Sequence, residues 1–141
     1  EFFPMYSRTV LSHSKAYSTS KDVFRSLLAV LIEKKTDCGW AHFEAMRESN
    51  DGWLRQILKT KQQIWIEVAY DGMAIFKLNF GNEKAARFVS ISIPDKWTPS
   101  GDGLRDVPAS DIAELVEWLA AYFVAASGNN DCLVKGYLDG L

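Results

Sequence analysis

His42 lies four residues after Cys38, a spacing that would put both side chains on one face of a helix and suit a thiolate–imidazole pair or half of a metal site. The chain has only two histidines, His13 and His42, and two cysteines, Cys38 and Cys132, and the remaining pair lies far off with no supporting spacing. A structural zinc site needs four ligands, so the plainer reading is a partly buried thiol beside an incidental histidine. No cofactor is expected: the glycines at 72, 81, 101 and 103 match neither a phosphate loop nor a dinucleotide fingerprint. Asp102, Asp106, Asp111, Glu114 and Glu117 could supply paired carboxylates for acid–base work, but nothing sets their separation. Acids at a helix start ordinarily complement its dipole, and the reading leans away from an enzyme.

A second concentration of chemistry runs through residues 94–122. The connection over 94–107 is rich in Pro and Gly and carries one large aromatic, Trp97, which either pins the loop to the core or presents itself to a ligand. The following helix places Asp111, Glu114 and Glu117 off its apolar stripe, with Trp118 and Tyr122 on the shoulder. Residues 5–61 carry ten Lys/Arg against six Asp/Glu, whereas residues 62–141 carry six against eleven. Aromatics framed by acids suit a protein interface, so Trp97, Trp118 and Tyr122 are expected as apolar contacts. Asp102, Asp106, Asp111 and Glu114 would form the electrostatic frame, facing a partner with basic groups. A solvated helix face with its aromatics folded inward is the alternative, and the face bearing Trp65, Glu67 and Lys77 is the next candidate surface.

These residues must be positioned by an α+β fold of 141 residues, enough for one domain with its own core. Strand patterns occupy residues 63–69, 73–80 and 88–93, joined by connections short enough to allow only antiparallel neighbours. The expectation is a three-stranded meander, extended to four or five strands if residues near the termini join. It packs against N-terminal helices and one long C-terminal helix. For the first hairpin, a three-residue loop Tyr70-Asp71-Gly72 pairs Ile64 with Leu78, Ile66 with Phe76 and Val68 with Ala74, burying one apolar face. Trp65, Glu67, Ile75 and Lys77 then share an amphipathic face.

Ser20 caps a first helix on which Val23, Phe24, Leu27, Leu28 and Leu31 form a stripe, closed by Lys34 and Lys35. Asp37 opens a second candidate helix carrying Trp40, Phe43 and Met46, and Asn50-Asp51 a third carrying Trp53, Leu54, Ile57 and Leu58. Ser110 or Asp106 caps the long helix with Ile112, Leu115, Val116, Leu119 and Phe123 inward, ended by Gly128. Residues 6–19 read as an edge strand or loose segment. Glu1-Phe2 reads as the remnant of a cloning site ahead of Met5, which sets residues 1–4 apart from the domain over 5–141.

The net charge of −2 and the lack of a basic run weigh against nucleic acid. No apolar run approaches the roughly 20 residues of a membrane span, and no export signal is visible, so a cytoplasmic protein with reduced thiols is expected. The composition, 48% hydrophobic and 24% charged, is that of a globular protein. This profile is shared with proteins that bind other proteins, such as bacterial immunity proteins and secretion chaperones. The leading expectation is a non-enzymatic binding protein for a protein partner, with a homodimer compatible. The alternative is a small-ligand protein or small enzyme whose pocket lies between sheet and helices, lined by Phe76, Phe80, Trp97 and Phe123.

Overall fold

The computed structural model describes residues 21–34, 39–45, 64–81, 91–127 and 134–139. Helix α1 is Lys21–Lys34, β1 Trp40–Ala45, β2 Trp65–Tyr70, β3 Ile75–Asn79, β4 Thr98–Gly101, β5 Leu104–Pro108, α2 Ile112–Ser127 and β6 Val134–Asp139. The strands form one six-stranded sheet in the order β4-β5-β3-β2-β1-β6, with every neighbouring pair antiparallel. The fold is α+β, as the sequence indicates, but with more strands than the expected meander. Expectations for residues 1–20, Cys38, the segment over 50–58, Gly128 and Cys132 lie outside the described residues.

The helices form where the 3.6-residue period is cleanest. Val23, Phe24, Leu27, Leu28 and Leu31 of α1 are all buried, as are Leu115, Val116, Leu119 and Phe123 of α2. The two stripes meet over the sheet, where Phe24 stands edge-on to Phe43 at 5.0 Å and stacks on Phe123 at 5.9 Å. From the sheet, Ala41, Phe43, Ile66, Val68, Phe76, Leu78, Val107, Val134 and Leu138 point into the same core. Each buried Leu or Phe removes enough apolar surface to contribute about 1.5–3 kcal/mol, so this one layer of contacts holds helices and sheet together.

Three expectations are corrected. Trp40 to Ala45 form a strand and not a helix: Ala41, Phe43 and Ala45 alternate inward with Trp40, His42 and Glu44 outward. That two-residue period overrides the i, i+3 spacing of Trp40, Phe43 and Met46 once β2 and β6 offer ladders on both sides. The hairpin register also differs, since Val68 pairs with Leu78 and Tyr70 with Phe76. The connection is residues 71–74, and Asp71 organises it: its Oδ1 accepts the N–H groups of Met73, Ala74 and Ile75 at 2.8, 2.9 and 3.0 Å. Those bonds, Ile75 first and Met73 next, hold the Asp71 carboxyl below its ordinary pKa. The slide preserves parity, so Ile66, Val68, Phe76 and Leu78 share the buried face as expected, and Gly72 takes a positive φ of 84°.

Finally, residues 94–107 are not a loop. They contain the β4–β5 hairpin, turning at Gly103 with φ 76°, and β5 takes the place beside β3 assigned to residues 88–93. Residues 91–93 of that stretch are described and are not in a strand. Pro99 sits on the outermost strand, where a missing N–H costs no ladder bond. Asp106 is therefore a strand residue and caps nothing, and a single 3₁₀ turn over Ala109–Asp111 leads into α2.

Candidate functional site

Both described helices pack on one face of the sheet, and the sheet residues of alternate parity compose the other. Across that open face one row reads Trp40, Ala69, Lys77, Asp106 and Thr98 on β1, β2, β3, β5 and β4. The next reads Tyr137, His42, Glu67, Asn79 and Leu104 on β6, β1, β2, β3 and β5. Glu44 lies opposite Trp65 and Lys135 beyond them. Antiparallel sheets commonly leave one face outside the core, but such a face is ordinarily polar. Here it carries two tryptophans, a tyrosine and a histidine.

His42 is the centre of this cluster. Its Nε2 lies 2.7 Å from Glu44 Oε1 and its Nδ1 3.1 Å from Glu67 Oε2, with only 13% of the side chain exposed. A doubly protonated ring donates to both carboxylates, a singly protonated one to one of them. Tyr137 lies against the ring at a centroid distance of 4.9 Å, and Trp65 stacks nearly parallel at 6.1 Å. Both nitrogens face carboxylates, so neither is presented to a substrate proton in this arrangement. The same geometry disfavours a metal, because the imidazole and the carboxylates point at one another instead of at a common centre. Among the described residues no three metal-type ligands converge.

Beside the cluster a groove of about 280 Å³ is lined by Trp40, Glu67, Ala69, Lys77, Asn79 and Leu104. Glu67 and Lys77 are diagonal neighbours across β2 and β3. They do not pair with each other: Glu67 is held by His42, and Lys77 donates to Asp106 Oδ1 at 2.9 Å. Trp40 is 36% exposed at the rim.

The residues expected to form a surface over 94–122 are placed differently. Trp97, Trp118 and Tyr122 are buried, so the expected apolar contacts are core residues in this fold. Trp97 Nε1 donates to Asp111 at 3.4 Å, its carbonyl accepts from Arg105 at 3.0 Å, and its ring meets Trp118 edge-on at 6.0 Å. Trp118 Nε1 donates to the Ser92 carbonyl at 2.9 Å and its ring stacks on Tyr122 at 5.3 Å. Burial pushes the Tyr122 hydroxyl pKa up. The pinning alternative for Trp97 thus describes the structure.

The acids are dispersed. Asp111 and Glu114 share Lys96, at 3.6 and 2.7 Å, and the Glu114 bond above all raises the lysine's pKa. Asp106 faces the opposite side of the sheet with Lys77, and Asp102 is exposed at the β4–β5 turn. The pocket expected between sheet and helices is absent at its named lining, since Phe76, Phe80, Trp97 and Phe123 are packed into the core.

The structure brings Trp65, Glu67 and Lys77 together on one face, as the amphipathic pattern of β2 and β3 implies. Missed were Glu44, Tyr137 and the outward place of Trp40, while His42 was singled out for a pairing with Cys38 and not with these residues. A signal was present in the alternation Trp40-Ala41-His42-Phe43-Glu44, whose odd positions are apolar and whose even positions carry the chemistry. Comparison of the chain with protein-family models, with curated protein sequences and with solved structures gave no match in any of the three.

Proposed function

We propose that this chain is a non-enzymatic binding protein that docks a protein partner on the open face of its sheet. The carrying observation is that the Trp65 and Tyr137 rings lie against His42, with Trp40 two residues along β1, on the face opposite both described helices. Large, rigid aromatics supply contact area at little cost in conformational entropy, and they are enriched at the centres of interfaces. Glu44 and Glu67 stand among these rings, held in position by His42, and favour a partner that brings basic side chains to them. No described helix is long and apolar enough to cross a membrane.

The reading is tested by capture from the native host with wild-type bait beside Trp40→Ser/Trp65→Ser and Asp111→Lys/Glu114→Lys baits. Loss of the captured protein with the first pair and retention with the second is expected. Retention with the first pair and loss with the second would return the interface to α2. Size-exclusion with light scattering on the same samples distinguishes a second copy of this chain from a different partner.

A further inference from the structure

We infer that the groove on the open face is a small-molecule site for a zwitterion with an apolar body, of the α-amino acid class. This goes beyond docking of a protein and does not depend on it. Ligand sites combine an apolar wall with a few converging polar groups, and this groove has that composition. Trp40, Ala69 and Leu104 supply the apolar surface, while Glu67, Lys77 and Asn79 supply the polar groups.

The hydrogen-bonding capacity left within the groove has a definite polarity. His42 meets one oxygen of Glu67, leaving Oε1 as an acceptor. Asp106 takes one N–H of Lys77 and leaves the ammonium two more. The Oδ1 of Asn79 accepts the Gly81 N–H at 3.0 Å, which orients its NH₂ as a donor. Lys77 and Asn79 are two apart on β3 and so share this face, and Glu67 lies directly opposite Asn79 on β2. The β3 side therefore offers donors to an anion and the β2 side an acceptor to a cation. Opposite charges at diagonal sheet positions would ordinarily collapse onto each other. Here His42 and Asp106 draw them apart, and the space between stays open. An α-amino acid matches this arrangement with its carboxylate toward Lys77 and Asn79 and its ammonium toward Glu67. Its side chain then lies along Trp40 and Leu104, and the volume of about 280 Å³ accommodates an aromatic one.

The test is a titration of the intact chain, followed by ¹⁵N–¹H correlation spectra, with L-tryptophan, indole-3-propionate, tryptamine and indole. A ligand of this size on an open groove should bind in the millimolar range. L-tryptophan should bind on the order of tenfold more tightly than either singly charged analogue, with shifts centred on Trp40, Glu67, Lys77 and Asn79. Glu67→Gln should remove the advantage over indole-3-propionate, and Lys77→Met the advantage over tryptamine, with each variant's folded spectrum preserved elsewhere. Equal affinity for all four probes, or no shifts at the groove up to about ten times the expected constant, would overturn the assignment. A protein captured in the experiment above would leave either result standing.

Discussion

Replacing Gly136 with alanine tests the packing of the sheet against α1, because two effects oppose each other there. Gly136 lies in β6 opposite Phe43, and its φ is not in the left-handed region, so alanine meets no backbone strain. Conformational entropy alone would make the substitution stabilising by about 0.4–1 kcal/mol. Packing acts the other way. A Cβ at this position would stand 2.8 Å from Leu27 Cδ1 and 2.9 and 3.1 Å from two atoms of the Phe43 ring. Carbon contacts are comfortable at about 3.5–4.0 Å, so both neighbours must retreat by roughly half an ångström or more. Leu27 and Phe43 are fully buried, and Phe43 is wedged edge-on against Phe24, which stacks on Phe123. The retreat therefore propagates into the core instead of ending at a mobile side chain. Overpacking of this kind costs about 1–3 kcal/mol, which exceeds the entropic gain. A net destabilisation of about 1–2 kcal/mol is expected, or a Tm lower by roughly 3–7 °C for a chain of this size. Urea unfolding should show a lower midpoint with an unchanged m-value. Leu27→Ala in the same background should recover about 1 kcal/mol of non-additivity. A Gly136→Ala protein as stable as wild type, or more so, would refute the close approach of α1 to β6.

Other expectations follow from the turns and the buried aromatics. Gly72→Val should lower stability by about 1–2 kcal/mol in urea titration, because φ 84° strains a β-branched residue. The Asp71 pKa is depressed in the folded state, so its contribution is present above the unfolded-state pKa and lost as pH falls through the folded value. Asp71→Ala should therefore flatten that part of the acid limb of a stability–pH profile, and an unchanged limb would contradict the turn geometry. Trp97→Ala should cost about 3–5 kcal/mol by removing a buried indole, whereas an exposed interface tryptophan would leave the melting curve nearly unmoved.

What was legible in the sequence divides by the range of the interactions involved. The stripes of α1 and α2 declare themselves locally, since each helix repeats its buried apolar residues at its own period. The buried faces of β2 and β3 were also readable. Their register was not, because Asp71 closes a longer turn by binding three N–H groups and the slide keeps every side chain on its face. β1 and β5 are strands because of their neighbours. β1 has two alanines at its inward positions, and β5 has Val107 as its one fully buried residue in a stretch dense with Pro and Gly. Neither has the local β-propensity to announce itself. The open face depends on pairing β1 with β2 and β6, and β6 lies far away in sequence. His42 was visible as a candidate for chemistry, but its partners Glu44, Glu67, Trp65 and Tyr137 emerge only from the cross-strand register. Trp97, Trp118 and Tyr122 failed as surface residues for the converse reason: a polar neighbourhood in sequence does not prevent a large ring from reaching the core.

Docking on the open face of the sheet is tested most directly by hydroxyl-radical footprinting of the chain alone and with the protein it captures. Trp40, Trp65 and Tyr137 should become protected in the complex, while Met73, 84% exposed at the hairpin tip, should oxidise equally in both and serve as the internal reference. Unchanged labelling of Trp40, Trp65 and Tyr137 in a complex that protects Lys96 and Glu114 instead would contradict the assignment.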